Sequence, residues 1–247
     1  MTIRVAVLGA AGRMGSTTAQ AVRDADGLEL VAELDAGDDV SALAGSVDVA
    51  VDFTVPSSTE ANVHALLDAG IHAVVGTTGW EESSLDRIRA HASTRPDIGV
   101  LIAPNFALSA VLSMRFAAVA ARYFASAEVV EMHHPRKVDA PSGTAVHTAH
   151  GIAAARSQAG LGAMADATTQ SLPGARGADV DGINVHSLRL EGLVAHEQIF
   201  LSNPGELLTI RTDSFDRISF MPGVLLAIRE VAARPGVSVG LETYLDL

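Results

Sequence analysis

The chain of 247 residues has no cysteine, which excludes disulfides, thiol nucleophiles and thiolate metal sites. It has no apolar run near the roughly 18 residues that a bilayer-crossing helix requires. Its start, MTIRVAVLGAAGRMG, breaks into glycines before a signal-peptide core can form. These absences predict a cytoplasmic protein without a membrane partner. Positive charge is scarce too: 17 Lys and Arg face 29 Asp and Glu, for a net charge of −12. Nucleic acid and anionic membrane are poor partners for such a surface. Internal repeats and low-complexity tracts are also missing.

Lysine itself is almost absent. Lys137 stands alone against sixteen arginines, in the segment EMHHPRKVDAPSGTA. A composition that spells its basic residues as arginine should carry arginine here as well. The two differ chemically: a guanidinium holds its proton throughout the working range, whereas an ammonium can be tuned and can donate one. Lys137 lies four residues from His133, and with His134 and Arg136 it makes an island of positive or protonatable groups on an acidic chain. A catalytic or ligand-touching role follows, because such groups cluster at sites. The two histidines are adjacent on a strand and point to opposite faces, and no third ligand at familiar spacing accompanies them, so no metal site is expected.

What is present reads as α/β. TIRVAVL (2–8), LELVAELD (28–35), VDVAVDF (47–53), IHAVVG (71–76) and IGVLIA (98–103) are strand-like runs. Helical stretches run to about Val22, from Ser57 or Ser58 to near Gly70, and from Glu81 to about Ala92. That alternation predicts a Rossmann-type parallel sheet. After Phe106 the rhythm changes to a helix over 108–124, a strand over 127–134 and a helix from Pro141 to about Arg156. A long Gly- and Ala-rich segment (158–182) precedes three strands in INVHSLRLEG, HEQIFLSN and ELLTIRTD, an α+β arrangement. A last helix spans 216–233. Three helices cannot cover both faces of a five-stranded parallel sheet. The expected division is therefore 1–106 plus 217–247 as a dinucleotide-binding domain, with 107–216 inserted as a substrate-binding and tetramerisation domain.

Gly9-Ala10-Ala11-Gly12-Arg13-Met14-Gly15 falls between the first strand and the first helix. Glycines there permit a tight turn and let a pyrophosphate approach a helix N-terminus. The spacing is GxxGxxG and not GxGxxG, so context carries the reading. Asp35 lies twenty residues past Gly15 at the tip of the second strand, where an acid accepts hydrogen bonds from ribose hydroxyls. Glu33 competes for that role, but strand alternation suits Asp35. Gly76, Thr77 and Thr78 close the fourth strand, and Ala103, Pro104, Asn105 and Phe106 the fifth. Ligands of open parallel sheets lie beyond those strand ends. Ser142, Gly143 and Thr144 follow Pro141 in a first helical turn, whose free N–H groups suit a carboxylate.

Together GAAGRMG, VDFT, VVGTTGW, APNF and HHPRKVDAPSGTA resemble the dihydrodipicolinate reductase family of bacterial lysine biosynthesis, in order and along the whole chain. The resemblance implies NAD(P)H-dependent reduction of the 4-hydroxy or dehydrated form of a cyclic dicarboxylate to tetrahydrodipicolinate, by a homotetramer. It makes His133 the proton donor or acceptor and Lys137 the proton donor. It makes His134, Gly143 and Thr144 contacts to the substrate carboxylates. Gly9 to Met14, Gly76 to Thr78 and Ala103 to Phe106 become cofactor contacts, and Arg217 matches an arginine near the active site. One departure bears on the cofactor: family members that favour NADPH often carry an arginine just after the strand-two acid, where this chain has Ala36. NADH or dual use is the expectation. From the residues alone, another NAD-dependent semialdehyde dehydrogenase and a non-catalytic dinucleotide sensor are the competing readings.

Overall fold

The computed structural model describes residues 2–245; Met1, Asp246 and Leu247, the outer ends of the expected first domain, lie outside the described residues. The chain forms two compact units, one of Met1–Ala107 with Arg217–Leu247 and the other of Leu108–Asp216. The first opens with β1 (Ile3–Leu8), α1 (Arg13–Asp24), β2 (Leu28–Leu34), β3 (Val49–Asp52), α2 (Pro56–Ala69), β4 (His72–Val75), α3 (Glu82–Ala92) and β5 (Gly99–Ile102). The second holds α4 (Leu108–Ala121), β6 (Ser126–His133), α5 (Gly143–Gln158), β7 (Ala178–Val180), β8 (Ile183–Arg189), β9 (Ala195–Asn203) and β10 (Glu206–Ser214). The chain then returns to the first unit with α6 (Met221–Glu230) and β11 (Gly236–Val239).

The first sheet is wholly parallel, in the order β11-β5-β4-β3-β1-β2. Its inner strands are short apolar runs because helices exclude water from both faces: every residue of β3 and β5 is buried. The sheet has six strands where the sequence suggested five. The added edge, β11, pairs Gly236 with Gly99 of β5. A Cβ on Gly99 would overlap the Val231 carbonyl, so the backbones approach there as only glycine allows. Helix α2 starts on Pro56 after Val55, not on a capping Ser57 or Ser58, since proline at the first position needs no N–H partner. The expected helix over 216–233 resolves into α6 between two 3-10 turns, Arg217–Phe220 and Val231–Ala233.

The second sheet is mixed, ordered β10-β9-β6-β8-β7, with only β6 and β8 parallel. Its apolar face packs Val129, Val185, Ile199 and Leu201 against Ala117 of α4 and Ala149 and Ile152 of α5. The inward row of β6 runs Ala127, Val129, Glu131, and that of β9 runs Leu201, Ile199, Glu197. Register sets Glu131 opposite Glu197, so an apolar core ends in two buried carboxyls. Helix α5 begins at Gly143, with Ser142 as its cap, two residues later than expected from Pro141. Gln158 still belongs to α5; from 159 to 182 the segment is irregular except for β7.

Candidate active site

In the first unit, β1 turns at Gly9, whose φ is +78°. A Cβ on Gly9 would lie 2.6 Å from the Phe53 carbonyl oxygen, and one on Gly15 would overlap the Gly9 carbonyl. Two of the three glycines are thus demanded by packing. Gly12 is different. It caps α1 without a side-chain hydrogen bond, so the first N–H groups of the helix have no capping side chain over them. Around it lie two cavities. One, of about 390 Å³, is lined by Gly12, Arg13, Met14, Thr78 and Arg217 among others. The second, of about 380 Å³, shares Gly12, Phe53 and Thr54 and adds Asp35, Asp38 and Asn62. Side by side at the carboxyl ends of the strands, they fit the two halves of a dinucleotide, with the positive helix end where they meet.

Asp35 lines the second cavity, and both its oxygens accept the Ala11 N–H, at 3.0 and 3.1 Å. It therefore pins the glycine loop as well as facing the ligand space. Glu33 is ion-paired with Arg23. Gly76, Thr77 and Thr78 line the first cavity, although the Thr77 hydroxyl turns inward and donates to Asp52 at 2.8 Å. Ala10 is buried beneath the loop. The 103–106 stretch stands apart: Ala103 and Phe106 are buried, Asn105 accepts from the Ala107 N–H at 2.9 Å, and none of the four, Pro104 included, lines either cavity. The Phe106 ring stands edge-on to Phe53, which lines both cavities.

Sequence reasoning missed Asp52. Fully buried at the end of β3, it accepts from the Thr54 N–H and hydroxyl at 2.9 and 2.7 Å, from Thr77, and from Asn62 at 2.8 Å. It thus fastens two loops that line the cavities. Its signal was an acid closing an apolar strand, a place where a buried charge must find donors.

In the second unit, β6 ends at His133 and the chain turns through His134 to Lys137. His133 Nδ1 lies 2.6 Å from Glu131 Oε2. Glu131 also takes both terminal nitrogens of Arg189, at 2.8 and 2.7 Å, and the Ser142 N–H at 3.1 Å. Burial pushes its carboxyl upward, but the hydrogen bonds from His133 and Arg189 outweigh it and hold the group at about 2. Lys137 Nζ donates to Asp139 at 2.7 Å, and the other oxygen of Asp139 accepts the Gly143 N–H at 3.3 Å. The lysine hydrogen bond holds the Asp139 carboxyl below its ordinary value. A Cβ on Gly143 would meet nothing within 4 Å, so packing does not require glycine there. His134 Nδ1 is buried without a partner among the described residues. Thr144 lies on the first turn of α5 beside Gly143. The structure therefore gathers His133, His134, Lys137, Gly143 and Thr144 around one turn and one helix start.

Family models described as dihydrodipicolinate reductase, N-terminus and C-terminus, match residues 3–106 and 109–245. A 4-hydroxy-tetrahydrodipicolinate reductase of Beutenbergia cavernae is 77% identical over 247 residues, covering 100% of both chains. One of Nocardia farcinica is 58% identical over 248 residues, again covering 100% of both. A dipicolinate-bound dihydrodipicolinate reductase from Paenisporosarcina sp. TG-14 superposes with a TM-score of 0.91 at 38% identity, covering 99% of this chain and 100% of that one. A probable dehydrogenase from Thermotoga maritima, 13% identical with a TM-score of 0.63 over 98% of this chain and 92% of its own, shares the fold. Full-length identity and matching models along both units leave one conclusion: the chain belongs to the dihydrodipicolinate reductase family.

Proposed function

We propose that the chain reduces 4-hydroxy-tetrahydrodipicolinate, or its dehydrated form, to tetrahydrodipicolinate with a reduced nicotinamide dinucleotide, in cytoplasmic lysine biosynthesis. The observation that carries the reading is the Asp139 carboxylate, seated between Lys137 Nζ and the Gly143 N–H. Groups suited to a dicarboxylate here already hold a carboxylate of the chain itself. A substrate carboxylate would take over those donors, with the Thr144 end of the helix and His134 beside them.

When bound, the dinucleotide supplies a hydride. The residues of this chain do the rest. Gly12 to Met14 offer N–H groups to its phosphates, Arg13 and Arg217 add charge in the same cavity, and Asp35 accepts from a ribose. Reduction of an unsaturated carbon conjugated with an imine leaves negative charge on the substrate ring. His133 and Lys137 stabilise that charge and return a proton to it. The first unit is the dinucleotide-binding one and the second binds substrate and builds the homotetramer.

NADH, or both dinucleotides, serve as donor. The cavity that holds Asp35 and Asp38 has no Lys, Arg or His in its lining, so a 2′-phosphate would meet carboxylates without a cation. One assay tests activity and preference together: following absorbance at saturating substrate with each dinucleotide in turn. Consumption of NADH at least as efficient as that of NADPH is expected. No substrate-dependent consumption of either would refute the activity, and NADPH favoured about ten-fold or more (~1.4 kcal/mol) would refute the reading of the loop.

A further inference from the structure

The buried carboxyl of Glu131 has no part in the roles assigned so far. It is fully buried, on the strand that carries His133 and two residues before it, so both side chains lie on one face. Four N–H groups converge on it. Oε2 takes His133 Nδ1 at 2.6 Å and one nitrogen of Arg189 at 2.8 Å, while Oε1 takes the other Arg189 nitrogen at 2.7 Å and the Ser142 N–H at 3.1 Å. Arg189 also donates to the Asp139 carbonyl at 2.7 Å. One carboxylate and one guanidinium thus tie the histidine, the start of α5 and the Asp139 backbone into a single network.

We propose that Glu131, held by Arg189, is the positioning residue of His133: it fixes the ring with Nδ1–H donated inward and Nε2 turned to the substrate. This rests on the reading of His133 as a proton-transfer group. The physical reason is tautomeric. A neutral imidazole carries one N–H, and an ionised acceptor at Nδ1 keeps it there, so Nε2 is the nitrogen that gains and gives the proton. Arg189 matters because its fork donates to both carboxylate oxygens and sets their plane. Glu197 lies directly opposite Glu131 on β9. Burial raises the Glu197 carboxyl to about 7, so below neutrality it faces Glu131 uncharged.

A double-mutant cycle between Glu131→Gln and His133→Gln tests this, with kcat and KM measured against pH and with NADH and dipicolinate binding by calorimetry. Glu131→Gln should lower kcat by about 10- to 100-fold, part of the usual worth of general acid catalysis. Both binding constants should move less than about 3-fold, as expected of an interaction felt mainly in turnover. The kcat–pH profile should change shape in Glu131→Gln, since an amide, which can donate as well as accept, no longer selects the Nδ1–H tautomer. In the double variant the Glu131 change should add less than about 2-fold to the His133→Gln loss, because both remove one device. Multiplying losses, or an unchanged kcat in Glu131→Gln, would overturn the proposal. Normal turnover in His133→Gln alone would instead overturn the role of His133, and this proposal with it. Should Glu131→Gln fail to fold, Arg189→Lys takes its place in the cycle: it keeps the charge, withdraws the fork and carries the same expectations.

Discussion

Lys137 Nζ and Asp139 are 2.7 Å apart, and in that distance lies a test of why this chain keeps one lysine. Lys137→Arg preserves the charge and much of the reach, so dipicolinate should still bind. Turnover should fall by about 10²–10⁴, because a guanidinium does not release its proton; steady-state kinetics beside calorimetry separate the two effects. A second residue-scale expectation concerns Glu197. Burial lifts its carboxyl from 4.5 to about 7, the Glu131 charge adds to this, and the Thr148 hydrogen bond opposes it. The folded chain binds a proton there that the unfolded chain has released. Stability from this group is therefore complete below 4.5 and lost as pH rises through about 7. Glu197→Gln, which mimics the neutral form, should melt higher than the parent above neutrality and show a flatter dependence of melting temperature across that window. Glu131 has the opposite sign: its contribution is present above 4.5 and lost as pH falls towards about 2. These residues differ in legibility. Lys137 announces itself by rarity and by its histidine neighbours. Glu131 does not, because Arg189, which makes it a hub, is 58 positions away. Asp52 likewise depends on Thr77, 25 positions on, and Glu197 on the β6–β9 register.

At the scale of elements, the glycine turn before α1 separates two demands that one motif had joined. Gly15→Ala pushes a methyl into the Gly9 carbonyl, and should lower the melting temperature and dinucleotide affinity together. At Gly12 a Cβ would stand 3.1 Å from that same carbonyl, in a backbone conformation any residue adopts. Gly12→Ala should therefore cost affinity with much less loss of melting temperature. Differential scanning fluorimetry with and without NADH reads both. The alternation of β1 to β5 with α1 to α3 was legible, since buried parallel strands must be apolar throughout and helices must intervene. The start of α5 was misread by two residues, because Pro141 looked like an opening residue while Ser142 makes the cap by accepting the Ala145 N–H. β11 was missed altogether. Its four residues, GVSV, have too little pattern of their own and become a strand only against β5.

For the whole molecule, the expected assembly is a homotetramer formed through the second unit. On the strands of that unit, Ile199 and Leu201 are fully buried within their own unit and Ile210 packs against the same core. Leu207 is 63% exposed, on β10, which is an edge strand. On α4, Phe116 and Val119 are each about half exposed, and Tyr123, just past it, is 73% exposed. An exposed apolar edge invites pairing with another chain. Light scattering at micromolar protein should report four copies; a monomer would remove the claim. Leu207→Lys should shift that equilibrium towards smaller species, since edge lysines oppose strand pairing.

The first sheet closes with a strand that pairs Gly236 to Gly99, 137 positions earlier. During synthesis, the whole of Leu108–Asp216 must leave the ribosome before that pairing can form. The inserted unit can reach its final contacts first, while five strands wait with β5 as a temporary edge. A nascent chain stalled on a linker long enough to bring residue 216 out of the ribosome should therefore protect its β6–β10 segment from protease while β4 and β5 remain open to cleavage. Order along the chain lets the inserted unit reach its final fold first and leaves the parallel sheet the last to be finished.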